Sequence, residues 1–416
     1  MNRVFIGPTI GPLSVALSRL ASSKNGRHIK MGKPLSKGFR GKSVTAAMAV
    51  CSLVITGSFV GSAKAAEDSS SIAASTFSTK ICKPKDASAV ADIPKSVSGF
   101  TGYKSAPGDW QKLPATSPLK GKRVALTVMG LGQPFFLAVE GHWKYLAKRY
   151  GFTLKVYDGK FDAGTVQKNI DDIIADKPDA IAFAPLDSDA SVPQIKKLLA
   201  AKIPTVTYNV QPRKVLTPRV FADDFLGSRS VGCNAGAYFN ARFPGVKAKI
   251  GIVDLPNLPQ VADRKNGFLY GFLSQVPDAE VVGTVNGGGV IDKALPAASD
   301  LLQAHPEVNV IFGINDDSSL GTIAALKAAG KNIDTWGVLA AVDGSAPAMA
   351  NMKDPKSPYK AESGYPPQNF AYAAFNLLGA TVSGKTTKST QVALGYPPID
   401  PSAKGIAAWI KAQYPG

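Results

Sequence analysis

The chain contains few of the residues that carry out chemistry in active sites. Its 416 residues include only three histidines, His28, His142 and His305, and their spacing suits no metal site. The motifs CxxC, HExxH and GxSxG are absent from the whole sequence. No set of nucleophile, base and orienting group can be proposed from the residues present. The sequence therefore predicts no enzyme, no cofactor and no metal.

Acidic residues are missing from the first part of the chain. Residues 1–66 contain ten lysines and arginines but no aspartate or glutamate, within a formal net charge of +18. The basic excess of the remaining chain is mild, and it forms no stripe interleaved with aromatic residues. This composition argues against a nucleic-acid partner.

The first 66 residues have the three regions of an export signal. A basic segment at 33–42 precedes an apolar segment at 44–60, and small residues follow at 62–66. This order predicts a signal peptide over 1–66 and export to the periplasm. A membrane anchor is the alternative, although an interrupted apolar run of about 17 residues is marginal for a span. Translation from Met1 and from Met31 both stay open.

Removal of such a signal leaves two cysteines, Cys82 and Cys233. Two interpretations stay open for an exported protein. The cysteines form a disulfide, or they are free and pack as small apolar side chains.

Residues 67–119 are rich in serine, alanine, lysine and proline and show little periodicity. We interpret them as an N-terminal extension that is partly flexible, especially at the serines of 69–71. Its aromatic residues Phe100, Tyr103 and Trp110 are expected to pack on the main body.

Beyond Lys122 the chain alternates between short apolar runs and segments of helical periodicity. This alternation occurs twice and predicts the α/β class, with two doubly wound parallel-sheet lobes. Strands are predicted over 124–129, 153–157, 180–184, 205–208, 249–253, 280–285, 310–312, 335–338 and 359–362. Helices are predicted after Pro134 and over 163–175, 192–201, 225–243, 261–275, 293–305, 319–329 and 370–378.

The first strand and helix meet at a polar and aromatic segment. Gly130 and Gly132 end the apolar run, and Gln133 stands directly before Pro134, which suits the first turn of a helix. Phe135 and Phe136 follow at this edge, where open α/β sheets bind ligands. The alternative is that both phenylalanines belong only to the core.

Seven motifs, in order between residues 120 and 391, resemble those of the type I periplasmic sugar-binding proteins, especially the ribose-binding group. Each motif is weak alone, but their common order is specific. They are 133–136 (similar to Asn-Pro-Phe-Phe), 185–190 (Pro-x-Asp-Ser-Asp-Ala), 203–206 (Ile-Pro-Val-Ile), 264–268 (Arg-x-x-Gly-Phe), 304–308 (Ala-His-Pro-Asp), 315–317 (Asn-Asp-Glu) and 343–344 (Asp-Gly).

The resemblance implies two lobes joined by a multi-strand hinge, with one lobe over 120–222 plus 365–391 and the other over 223–364 plus 392–416. It implies a monomer that captures a sugar or polyol and delivers it to the membrane permease of an ABC importer. A sensing subunit for a membrane receptor and a binder of a non-sugar molecule are the alternatives. The implied ligand-binding residues are Gln133, Phe135, Phe136 and Asn209 from the first lobe and Arg264, Asn315 and Asp343 from the second.

These polar residue types suit a neutral polyhydroxy ligand, since amides donate and accept, arginine donates and aspartate accepts. Two of them have a purely structural alternative: Asn315 as a helix cap and Asp343 as a turn residue. A repressor-type regulator shares the lobes, but it needs a DNA-reading helix-turn-helix where this chain has its apolar segment.

The sequence also departs from the family pattern. Asn209 and Val210 replace an aspartate and an arginine, Gly289 lies near the position of a second-lobe aromatic, and Gly364 lies near that of a hinge glutamine. One charge of each sign is lost, so we expect Arg264 and Asp343 to balance each other. The pocket should be roomier and less charged than a pentose site.

Overall fold

The computed structural model describes residues 69–96, 105–256 and 258–414. The predicted signal peptide, Phe100 and Tyr103 lie outside these ranges. No helix in the described part of the chain is long and apolar enough to cross a membrane.

Two parallel sheets form the centres of two lobes. The first sheet has the order β11-β5-β4-β3-β1-β2 and the second the order β10-β9-β8-β6-β7, so both lobes repeat one topology. The strands are β1 (Arg123–Val128), β2 (Thr153–Asp158), β3 (Ala180–Phe183), β4 (Thr205–Tyr208), β5 (Arg219–Ala222), β6 (Lys249–Asp254), β7 (Glu280–Asn286), β8 (Val310–Gly313), β9 (Val338–Asp343), β10 (Tyr359–Gly364) and β11 (Gln391–Leu394).

Helices cover the sheets, so that the central strands β3, β4, β5 and β8 are buried along their whole length. A short 3₁₀ helix also lies at Ser88–Val90. The α-helices are α1 (Ser69–Thr76), α2 (Pro134–Tyr150), α3 (Ala163–Asp176), α4 (Ser191–Ala200), α5 (Asp224–Arg242), α6 (Pro259–Gln275), α7 (Ile291–Ala304), α8 (Asp316–Ala328), α9 (Ala346–Lys353), α10 (Pro367–Val382) and α11 (Ala403–Gln413).

The predicted fold class, two doubly wound parallel-sheet lobes joined by a multi-strand hinge, is confirmed. Within the described ranges the chain passes between the lobes after β5, after β10 and after β11. The lobe boundaries stay a prediction. Because β11 pairs with β5, we propose to extend the first lobe from residue 391 to Leu394.

Several elements differ from the sequence prediction. The strand predicted at 335–338 is instead β9, because 332–335 form a turn in which the Thr335 N–H donates to the Asn332 carbonyl (3.1 Å). Strand β5 was missed because it begins with a buried arginine. The Nε of Arg219 donates to the side-chain oxygen of Gln391 on the edge strand β11 (2.9 Å), so the charged side chain is buried at the edge of the sheet. Strand β11 and helices α9 and α11 were also missed.

The first part of the extension packs on the second lobe. Residues 69–71 form the first turn of α1, in which Ile72 and Ala73 are buried, and the partial flexibility of the extension stays a prediction. A disulfide joins Cys82 to Cys233 on α5, with a Cα–Cα distance of 5.7 Å. The structure thus selects the paired interpretation of the two cysteines.

The second part of the extension packs on the first lobe. The Ala106 N–H donates to the Gln391 carbonyl (2.7 Å). The side-chain amide of Asn376 on α10 donates to the carbonyls of Trp110 and Lys112. The prediction that Trp110 packs on the main body is confirmed, and the extension contacts both lobes.

Candidate ligand-binding site

All seven residues expected at the site line one cavity of about 450 Å³ between the lobes. This volume is typical of small-molecule sites. The cavity lies where the strands of both sheets end, so residues distant in sequence meet there. The lining residues that directly follow or end a strand are Met129, Asn209, Leu255, Asn286, Ile314, Asp343 and Tyr365.

Gln133 extends from the first lobe to the second. It is the N-cap of α2, yet its side chain makes no capping hydrogen bond. Its Nε2 instead donates to the carbonyl of Gly289 at 2.7 Å. The amide of Gln133 therefore joins the two lobes across the cavity.

Phe135 and Phe136 belong to the core and also line the cavity. Their exposed fractions are 5% and 2%, and their rings meet edge to face at 5.0 Å. Phe135 also packs on Tyr365, which follows β10 at the hinge (5.2 Å). The two phenylalanines therefore belong to the core, as one interpretation of the sequence held, and also line the cavity, as the other held.

Arg264 is held mainly by a residue that the sequence analysis missed. Its Nε and Nη2 donate to Oδ1 of Asp224 at 3.0 and 2.9 Å, and its Nη1 donates to the Ile314 carbonyl at 2.9 Å. Asp343 lies farther away, at 3.7 Å from Nη1. The expectation that Arg264 and Asp343 balance each other is therefore corrected: Asp224 is the close partner.

Close helix packing brings this ion pair together. Asp224 begins α5 and Arg264 lies on α6, and glycines allow the two helices to touch. A Cβ on Gly232 would lie 2.1 Å from the Phe268 carbonyl oxygen, and one on Gly271 would lie 2.1 Å from that of Arg229. Asp223 caps α5 through the Leu226 N–H (2.9 Å), which leaves Asp224 to face the arginine.

Burial dominates the electrostatics of these carboxyl groups. It raises the pKa of Asp224 to about 6, although Arg264 opposes the rise. It also raises the pKa of Asp343 well above its usual range; Arg264 opposes this shift, and Asp316 and Asp317 add to it. Arg264 therefore lies beside two desolvated carboxyl groups, Asp224 and Asp343, of which Asp343 lines the cavity.

Asn315 and Asn209 occupy positions that their side chains suit. Asn315 caps α8 by accepting from the Ser318 N–H (3.0 Å), while its Nδ2 donates to the Gly289 carbonyl (2.9 Å). Its capping and its place on the cavity are thus compatible. Asn209 has a φ of +67°, a left-handed conformation that asparagine tolerates better than most residues.

A buried acidic network lies behind Asp343. The Tyr359 hydroxyl is 2.7 Å from Oδ1 of Asp316 and also contacts Glu362, while the Ser345 N–H donates to Oδ2 of Asp316 (2.6 Å). Burial raises the pKa of Glu362 well above its usual range. The Tyr359 hydroxyl has one proton, so it can donate a hydrogen bond to only one of the two carboxyl groups. A proton on the other carboxyl group satisfies the second contact by donating to the hydroxyl oxygen. No group of three or more metal-ligating side chains occurs within the described ranges.

Three further residues of the site were missed from the sequence: Asp224, Phe161 and Tyr365. A signal for Asp224 was present, since two consecutive aspartates stand at the start of α5 and only one of them can be its cap. Phe161 follows β2 and lines the cavity, but a single aromatic in a loop has no distinctive pattern. Tyr365 stands next to the glycine at the expected hinge position.

A family model, the periplasmic binding protein domain, matches residues 124–386. The ribose import binding protein of Bacillus subtilis is 26% identical over 260 residues, covering 62% of this chain and 81% of that protein. The D-ribose/D-allose-binding protein of Pseudomonas aeruginosa is 28% identical over 222 residues, covering 50% and 67%.

Solved structures resemble this fold. An ABC transporter periplasmic solute binding protein from Actinobacillus succinogenes, with bound D-allose, has a TM-score of 0.61 at 21% identity. The match covers 69% of this chain and 99% of that chain. At this identity the likeness concerns the fold.

Proposed function

Because the chain belongs to the periplasmic binding protein family, we propose that it is an exported solute-binding protein that captures a sugar or polyol between its lobes. It delivers this ligand to the permease of an ABC importer, as a monomer in the periplasm and without catalysis. The relatives named above bear ribose and allose in their names, which supports a sugar as the ligand.

One observation carries this proposal. The cavity between the lobes combines four aromatic rings with amide, guanidinium and carboxylate groups, and these groups come from both lobes. Aromatic faces pack against the apolar face of a sugar ring, and the polar groups can donate to and accept from its hydroxyls. Closure around a ligand would surround it on both sides.

The arginine makes a neutral ligand more suitable than an anionic one. Asp224 and the Ile314 carbonyl already occupy three of the five guanidinium N–H groups, and Asp343 lies beside the same side chain. An anionic ligand would meet Asp187 and Asp343 on the cavity wall, next to a guanidinium that is already paired, and only Lys293 would remain as a further cation of the described lining. A hydroxylated neutral molecule adds no charge to this balance.

A thermal-shift screen of pentoses, hexoses, polyols, sugar acids and amino acids tests the proposal. A ligand that binds the folded state should raise the melting temperature in proportion to the logarithm of its concentration. Asp343→Asn should weaken binding of the best compound in calorimetry. Asp189→Asn is the matched control, because Asp189 is exposed and pairs with Arg213 outside the cavity.

The screen has clear opposing outcomes. Neutral sugars or polyols that bind the native protein and lose affinity only with Asp343→Asn support the proposal. Binding of amino acids or sugar acids alone would contradict the ligand class. Equal affinity for the Asp343→Asn and Asp189→Asn variants would contradict the site.

A further inference from the structure

Phe161 is the most accessible aromatic ring of the cavity. The other aromatic lining residues in the described chain, Phe135, Phe136 and Tyr365, are each at most 5% exposed. Phe161, in the loop between β2 and α3, is only partly buried. It therefore keeps more of its ring free for a molecule inside the cavity.

The backbone at Phe161 is held in an unfavourable conformation. Lys160 and Phe161 have φ values of +51° and +52°, a region that costs bulky L-residues on the order of 1–2 kcal/mol each. Hydrogen bonds maintain it: the Phe161 N–H donates to the Met129 carbonyl (2.8 Å), and the Lys160 N–H donates to Asp158 (3.0 Å). Asp158 also accepts from the Leu131 N–H (3.2 Å), so the loops after β1 and β2 are tied together.

A glycine provides the place for the ring. A Cβ on Gly130 would lie only 2.2 Å from Cε2 of Phe161, so the ring lies directly over the backbone of the β1–α2 loop. On the other side, Phe161 meets Phe136 at a centroid distance of 6.1 Å. The ring is thus positioned by contacts on two sides.

The second lobe offers no competing aromatic surface. Its described lining residues before the hinge are aliphatic or polar, and Gly288 and Gly289 expose backbone at φ values of +63° and +69°. A side chain at either glycine would be strained. Aromatic contact with a ligand must therefore come from the first lobe or from Tyr365 at the hinge.

We propose that Phe161 is a further ligand-contacting residue that selects for cyclic sugars with an apolar ring face over linear polyols. This inference rests on the proposed sugar-binding function and makes its ligand class narrower. A flat aromatic face matches the C–H face of a ring, whereas a linear polyol in extended form presents no such face.

Calorimetry with a cyclic sugar from the screen and its linear polyol tests the inference. Phe161→Leu should lower the affinity for the cyclic sugar about tenfold, which is within the range of aromatic pair contributions. It should change the affinity for the linear polyol little. Phe161→Tyr should restore affinity because it keeps the ring face. Gly130→Ala should resemble Phe161→Leu in part, since its methyl group displaces the ring.

Phe243→Leu is the matched control, because Phe243 is also partly buried and packs on one other phenylalanine, outside the cavity. If the native protein binds sugars and Phe161→Leu behaves like Phe243→Leu, the inference is wrong while the proposed function stands. If the native protein binds linear polyols as tightly as cyclic sugars, the selectivity is also refuted. If it binds neither class, the proposed function itself fails. Should Phe161→Leu not fold, the Tyr and Gly130→Ala variants decide.

Discussion

Replacing Arg264 by alanine removes the cation that two buried carboxyl groups share. The side chains of Arg264 and Asp224 are 11% and 7% exposed, and two N–H groups of the guanidinium point to one carboxylate oxygen. Asp343 is the second carboxyl group, at 3.7 Å. The variant leaves both groups in a desolvated wall without compensation.

The expected loss of stability is large. Removing one partner of a buried ion pair costs about 3–5 kcal/mol, because the remaining charge stays buried. Arg213→Ala provides the matched control, since Arg213 also contacts an aspartate through two nitrogens. The side chains of Arg213 and Asp189 are 45% and 69% exposed, so we expect a cost of about 0–1 kcal/mol.

Urea unfolding of both variants at pH 8 and pH 5 measures these costs. The pKa of Asp224 is about 6 with the arginine present, and it should rise further when the arginine is absent. At pH 5 the carboxyl group of the variant is then mostly protonated, so the loss should be smaller than at pH 8. A cost no greater than that of Arg213→Ala, or a larger loss at pH 5, would refute this account of the site.

Three other outcomes are expected. Replacing both Cys82 and Cys233 by serine should lower the free energy of unfolding by up to about 5 kcal/mol in the chain-entropy model, because the disulfide spans 151 residues; an unchanged urea midpoint contradicts this. Burial and Asp316 raise the pKa of Asp317 to about 6, so the folded protein binds a proton at this residue more tightly than the unfolded chain does. This proton binding stabilises the fold at low pH, and the stabilisation is lost as the pH rises through 6. Asp317→Asn should therefore be more stable than the native protein at pH 8, by about 1–3 kcal/mol, but not at pH 4; equal differences at both pH values contradict this. N-terminal sequencing of exported protein should begin within a few residues of Ala66, and an intact Met1 or Met31 contradicts the signal peptide.

The alternation of strands and helices was predictable because buried parallel strands are nearly continuous apolar runs. The run beginning at Val124 is typical. The prediction failed where a polar residue enters a strand, as Arg219 does in β5, because its partner Gln391 is distant in sequence. Local periodicity contains no information about such a pairing. The same limit explains why Asp224 was not assigned to Arg264.

The site residues were predicted as a set because their motifs, in order along the chain, resemble those of the type I periplasmic sugar-binding proteins. Their individual contacts were not, since these depend on how the lobes approach each other. Gln133 is the clearest example. Its sequence position indicates a ligand contact, but its amide reaches the carbonyl of Gly289 in the second lobe.

The backbone carbonyl of Gly289 is the acceptor in this bridge between the lobes. It accepts from Gln133 of the first lobe and from Asn315 of the second. The side-chain amides of Gln133 and Asn315, both expected from the sequence to bind the ligand, thus donate to the same backbone oxygen. The bond from Gln133 exists only when the lobes are close together, so it stabilises the closed arrangement. A residue can therefore belong to a binding site by joining its walls, and the sequence pattern alone does not distinguish that role from contact with the ligand.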